Sequence, residues 1–189
     1  MWLLSLFACV PDSLPDWVKD PIPFEGDAPP CAASRFETVA CTLDGDTFDV
    51  SLCGEDAGGE RIRMLGIDAP EIAHDPDPAD CYGDEAAAQL NQLLDGEEVL
   101  LSFDTECTDI YGRTLAYVWL AESLDPGDTG WENSEDEGGT LVNEWMLENG
   151  FARVYDEEFV EPIRLMQRMV DAEALAQSRG LGLWASCDE

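Results

Sequence analysis

The sequence has one lysine, Lys19, and one histidine, His74. Its other eight basic residues are arginines, against 42 aspartates and glutamates, for a formal charge of −33. So little positive charge excludes a protein that coats nucleic acid electrostatically, because phosphate affinity comes mainly from Lys and Arg. No apolar run reaches the roughly 20 residues of a membrane-spanning helix. There is no Cys-x-x-Cys pair, which argues against a zinc ribbon. What is present reads as globular. The chain has 189 residues, 45% hydrophobic and 9% aromatic, enough for one domain with its own core. Heavy Asp usage with almost no Lys has two readings. It is a surface that stays soluble in a saline medium, where screening shrinks self-repulsion, or a general bias toward acidic surfaces.

The first residues, Trp2 to Ala8, are almost wholly apolar, and Leu6-Phe7-Ala8-Cys9 resembles a bacterial lipobox. Residues 1–9 are therefore expected to be a lipoprotein-type signal ending at Cys9, although no Lys or Arg precedes the apolar part. The bland alternative is an exposed or core-packed N-terminal stretch. Residues 10–34 hold six prolines and are expected to be an acidic tether, followed by a folded domain over 35–186. Setting Cys9 aside leaves six cysteines, an even number that suits three disulfides in an oxidising compartment. The sequence leaves their pairing open; the pairs we expect are Cys81–Cys107, Cys41–Cys53 and Cys31–Cys187.

Along the domain, 36–43 reads as a strand, Asp44-Gly45 as a hairpin turn and 47–53 as the return strand. A polar turn at 54–59 leads to a third strand over 61–67, ended by Asp68-Ala69-Pro70 because proline removes a ladder donor. Residues 83–94 read as a helix with Ala87, Leu90, Leu93 and Leu94 on one face. Further strands are expected at 98–103 and 114–120, and helices at 141–149 and 160–178, the last carrying Ile163, Met166, Met169, Val170 and Ala174 at helical spacing. Residues 121–139, with seven acids and no basic residue, read as an acidic insert loop. Three strands, a helix, two strands and two helices make an α+β unit, buried most simply as a small closed barrel with a helical flank.

Three segments share a chemical theme: Asp44-Gly45-Asp46-Thr47, Arg63-Met64-Leu65-Gly66-Ile67-Asp68-Ala69-Pro70-Glu71, and Asp109-Ile110-Tyr111-Gly112-Arg113. Each combines turn residues with charge at a strand end. Asp46, Asp68 and Glu71 can gather carboxylate oxygens for a hard cation such as Ca²⁺. Arg63 sits in an otherwise apolar stretch and needs a partner. Arginine beside carboxylates and a metal is equipment for a phosphodiester. Singly, Asp44 and Asp46 would pass as turn formers and Arg63 as a structural ion pair. Arg61 reads as structural or surface, His74 as an exposed loop residue, and Asp75, Asp77 and Asp80 as a solvated charge run.

Together and in order, with Cys81-Tyr82-Gly83-Asp84-Glu85-Ala86, the stretch at 141–154 and the closing Gly182-Leu183-Trp184, these segments resemble the staphylococcal nuclease family. The resemblance runs from about Phe36 to Trp184. It implies a five-stranded OB-fold barrel with three α-helices, and Ca²⁺-dependent hydrolysis of DNA and/or RNA to 3′-phosphate ends. It assigns Asp46 and Asp68 as metal carboxylates and the Ala69 backbone carbonyl as a third metal ligand. It assigns Glu71 to the attacking water and Arg63 and Arg113 to the phosphate. Asp44 becomes an acid behind the metal ligands, Tyr111 a residue of the nucleotide-binding edge, and Tyr155 a neighbour of the base. Ile110 occupies a position where family members can carry lysine. The resulting expectation is an exported monomer, secreted or membrane-attached only through a lipid on Cys9, acting with single strands favoured. The competing reading is a non-catalytic OB-fold surface lipoprotein that binds Ca²⁺ or a protein.

Overall fold

The computed structural model describes residues 29–121, 139–155 and 163–187. The expected signal, most of the tether, nearly all of the acidic insert and the first turn of the expected last helix lie outside the described residues. Five strands close into a barrel in the order β1 (Arg35–Thr42), β2 (Thr47–Val50), β3 (Glu60–Met64), β6 (Thr114–Leu120), β5 (Glu98–Ser102) and back to β1. Neighbours are antiparallel except β3 and β6, which run parallel. This is the five-stranded OB-fold expected from the sequence. Helices α1 (Gly83–Leu94), α2 (Val142–Glu148) and α3 (Met166–Arg179) flank it, with a four-residue α4 (Leu183–Ser186) at the end. A two-stranded ribbon, β4 (Ile67–Asp68) with β7 (Arg153–Val154), lies outside the barrel. Among the described residues no helix is long and apolar enough to cross a membrane.

Alternation explains the barrel. Phe48, Val50, Ile62, Met64, Val99, Leu101, Ala116 and Val118 are buried in one core, each large side chain stabilising by about 1.5–3 kcal/mol. The Asp44-Gly45 turn joins β1 and β2 with Leu43 N–H on the Thr47 carbonyl at 2.9 Å. The second and third strands are shorter than expected. Ser51 takes a positive φ of 66° just after Val50, and Gly66 takes one of 74°, which turns the chain out of β3 into the ribbon. Helix α1 buries Ala86, Leu90 and Leu94; its expected apolar stripe is shifted from Ala87 to Ala86. Helix α3 starts at Met166 and is capped by Gly180 in the left-handed conformation, φ 59°, as a helix C-terminus favours.

The disulfides correct two of the three expected pairs. Cys41–Cys53 forms as expected, but the others are Cys31–Cys107 and Cys81–Cys187. Both departures have a backbone cause. Cys31 N–H bonds the Asp104 carbonyl at 2.8 Å, laying the segment before β1 beside the end of β5 and Cys107. The start of α1 meets the C-terminal α4, where the Ser186 carbonyl lies 3.7 Å from the Cys81 sulfur.

Two buried polar groups tie helices to the barrel. Asn143 on α2 accepts from Val118 N–H at 2.9 Å and donates to the Leu65 carbonyl at 2.9 Å, fixing the turn that leads into β4. Asp104 accepts from the Tyr117 hydroxyl at 2.6 Å and from Arg164 N–H at 2.8 Å, which anchors the chain entering α3.

Candidate active site

The site grows from the β1–β2 turn. Asp44 Oδ1 accepts from the Asp46 and Thr47 amides at 2.9 and 2.7 Å, an Asx-type closure that fixes the turn. Gly45 lies against Ala69 and Ala86, so a Cβ there would collide with both. The turn is thereby wedged between the β4 loop and α1. Asp46, 6% exposed, accepts from the Thr47 hydroxyl at 2.9 Å and from Ala69 N–H at 2.8 Å.

Arg63 binds these parts together. Its guanidinium, on a residue 9% exposed, lies 3.0 Å from Asp46 Oδ2 and 3.0 Å from Asp68 Oδ1. It also donates to the Met64 and Ile67 carbonyls at 3.1 and 2.7 Å, and stands 5.8 Å over the Tyr155 ring. Asp46 and Asp68 thus share one guanidinium. Burial pushes the Asp46 carboxyl up to about 7; the charge of Arg63 opposes the rise and that of Asp44 adds to it. A desolvated carboxylate with a surplus of negative neighbours gains from a further cation. Two carboxylates and a nearby backbone carbonyl are hard oxygen donors, so the residues present fit a Ca²⁺-type ion.

The other expected residues lie on neighbouring segments. Glu71 follows in the loop after β4, its side chain 65% exposed and 3.7 Å from His74 Nε2. Arg113 immediately precedes β6. Arg63 pairs with Leu115 across the parallel β3–β6 ladder, which puts Arg113, two residues earlier, on the same face. Asp109 holds it: Arg113 Nε donates to Asp109 Oδ2 at 2.6 Å, and the Tyr111 and Arg113 amides donate to Oδ1 at 2.9 Å each. Burial alone would raise the Asp109 carboxyl, but these bonds hold it below the usual value. The Arg113 guanidinium lies 5.5 Å over the Tyr111 ring. Tyr111 and Ile110 are exposed at the tip of this turn.

A family model described as staphylococcal nuclease homologue matches residues 61–186. The chain belongs to the staphylococcal nuclease family. The thermonuclease of Staphylococcus hyicus is 30% identical over 165 residues, spanning 87% of this chain and 84% of that protein. The thermonuclease of Staphylococcus intermedius is 32% identical over 147 residues, 77% and 74% of the two chains. An endonuclease of Bacillus subtilis is 30% identical over 174 residues, 87% of this chain but 13% of that longer protein. Membership places the chain among nucleases, hydrolases of phosphodiester bonds.

Three features of this nuclease fold escaped the sequence reading. Arg61 pairs with the buried Asp49 at 3.0 Å, as a structural arginine should, but Asp49 carried no signal. Arg153 stands opposite Asp68 across the ribbon with its guanidinium 4.4 Å over the Trp184 ring; the partner lies 31 residues away in sequence. Asp80, read as solvated, accepts a bond from Glu71 N–H. Among the described residues one further group of metal-ligand types is close, Cys41, Asp49 and Cys53. Its two sulfurs are joined as a disulfide and offer no thiolate.

Proposed function

We propose that this chain is an exported Ca²⁺-dependent nuclease that hydrolyses DNA and/or RNA to 3′-phosphate ends, with single strands favoured. The observation that carries the reading is the Arg63 guanidinium joining the buried Asp46 to the exposed Asp68, with Ala69 N–H on Asp46 and Glu71 in the next turn of chain. Asp46, Asp68 and the Ala69 carbonyl would hold the ion. When bound, Ca²⁺ would polarise a phosphoryl oxygen and neutralise charge as it develops there. Glu71 is exposed enough to meet a water and accept its proton; general-base help of this kind contributes about 10²–10⁴-fold. Arg63 keeps the two metal carboxylates apart at the spacing of its own two nitrogens. Arg113, tethered through Nε, has its terminal nitrogens to offer a phosphate and the leaving oxygen. Tyr111 supplies a ring beside it for a base or sugar.

Export agrees with the three disulfides, which persist in oxidising compartments. A lipid on Cys9, the tether at 10–34 and a monomeric state belong to the same proposal. The test is cleavage of single-stranded and duplex DNA by the oxidised chain, in Ca²⁺ against EGTA, for the native protein and Glu71→Ala. Cleavage that needs Ca²⁺ and is lost in Glu71→Ala is the expected result. A folded protein that binds Ca²⁺ and cuts neither substrate at any salt concentration overturns it in favour of a binding module.

A further inference from the structure

Glu71 is the most exposed of the expected catalytic side chains, and its carboxylate lies 3.7 Å from His74 Nε2. Among the described residues no hydrogen bond holds the carboxylate itself, so its aim depends on its backbone. That backbone is clamped. Asp80 N–H donates to the Glu71 carbonyl at 2.9 Å, and Glu71 N–H donates to Asp80 Oδ2 at 3.3 Å. One residue thus closes both ends of the 71–80 loop, through main chain and side chain together. The far end of the loop is closed as well: His74 N–H bonds the Asp77 carbonyl at 3.0 Å, and Asp77 N–H returns to the His74 carbonyl.

The clamp is braced from behind. Gly83 N–H bonds the Asp80 carbonyl at 3.1 Å. Gly83 also lies so close to the Glu71 carbonyl that any Cβ there would collide with it. Cys81, next to Asp80, is bridged to Cys187 beyond α4. The Asp80 arm is therefore fixed to both α1 and the C-terminus. The Glu71 amide sits at the surface, where water would satisfy it at little cost. A carboxylate spent there adds little stability but fixes one residue's direction.

We propose that Asp80 is a positioning residue for Glu71, holding its backbone so that the carboxylate faces the attacking water, with the Cys81–Cys187 bridge bracing the arm. The inference rests on the reading of Glu71 as the base. Displacing a catalytic group by about 1 Å costs about 10²-fold, so Asp80→Ala is expected to lower kcat by about 10- to 100-fold with KM and Ca²⁺ affinity unchanged. Asp80→Asn keeps an acceptor for Glu71 N–H and is expected to recover most of the rate.

The test is a double-mutant cycle on DNA cleavage with thermal melts of every variant. In a Glu71→Ala background, Asp80→Ala should cost nothing more, because the group it positions is gone. The paired Cys81→Ser and Cys187→Ser variant should lower kcat in the same sense and combine less than additively with Asp80→Ala. A folded Asp80→Ala with native kcat, or one whose loss persists in full on the Glu71→Ala background, overturns the proposal. A Glu71→Ala protein as fast as the native one instead removes the base itself, and is recognised before any Asp80 result is read.

Discussion

Asp46→Asn puts the electrostatics of the site to a direct test. Burial lifts the Asp46 carboxyl from 3.8 to about 7, with Arg63 opposing the rise. A raised folded-state value means that the native protein holds this proton more tightly than the unfolded chain does. Asp46 therefore supports the fold fully below about pH 4 and loses that support as the pH climbs to about 7. About three units at about 1.4 kcal/mol each make about 4 kcal/mol. The amide fits the same place. Its oxygen can accept from Ala69 N–H and face Arg63, and its NH₂ can donate to the Thr47 hydroxyl, the partners the carboxylate has now. Urea unfolding in chelator should show the variant gaining on the native chain by up to about 4 kcal/mol between about pH 4.5 and about pH 8. Taking the difference between the two chains cancels the other carboxylates. Added Ca²⁺ should reverse the order, since the native chain, with its carboxylate, gains the larger binding term RT ln(1 + [L]/Kd). A difference that stays flat across this pH range refutes the burial account.

Cleavage of long DNA should speed up from about 20 mM to about 200 mM salt, because screening weakens the repulsion between a chain of charge −33 and a polyanion; a steady fall in initial rate counts against this. Tyr117→Phe should lower stability by about 1–3 kcal/mol in urea unfolding, since the hydroxyl joins Asp104 and Leu165, while the rate per folded molecule holds. Thermal melts of paired Cys→Ser variants should rank by the chain each bridge closes, the 12-residue span of Cys41–Cys53 costing least and the 76- and 106-residue spans more; equal losses would show that loop entropy is not what separates them.

Much of this was readable in the sequence, for local reasons. The Asp44-Gly45 turn, the strand at 114–120 and the helix at 83–94 are set by turn chemistry and periodicity within a dozen residues. That Asp46, Arg63, Asp68 and Ala69 come together was readable too, because each stands in or beside a short strand that a tight turn joins to the next. Long-range partners were not readable. Cys31 and Cys81 exchanged partners relative to the expectation because the pairing follows how the two termini dock, which no spacing reports. The β4–β7 ribbon has two residues on each side, too few for a period. Asp80 looked like its neighbours Asp75 and Asp77, and only the folded loop separates the one that bonds Glu71 from the two that do not.

The charge balance bears on how such a site meets its substrate. Arg35 is paired with Glu37 and Glu60, Arg61 with Asp49, Arg63 with Asp46 and Asp68, Arg113 with Asp109, and Arg168 with Glu144. Most of the described positive charge is therefore neutralised inside the protein, and little is left to draw a phosphate in from afar. On the proposed function, attraction comes from within the site, from the cation it would hold and from Arg113, acting over a few ångströms. Repulsion comes from the whole surface, acting over the screening length, about 8 Å at physiological ionic strength. Salt shortens the second range and hardly touches the first. A site of this kind in an acidic protein thus exchanges electrostatic steering for contact chemistry, and ionic strength decides how often the contact is reached.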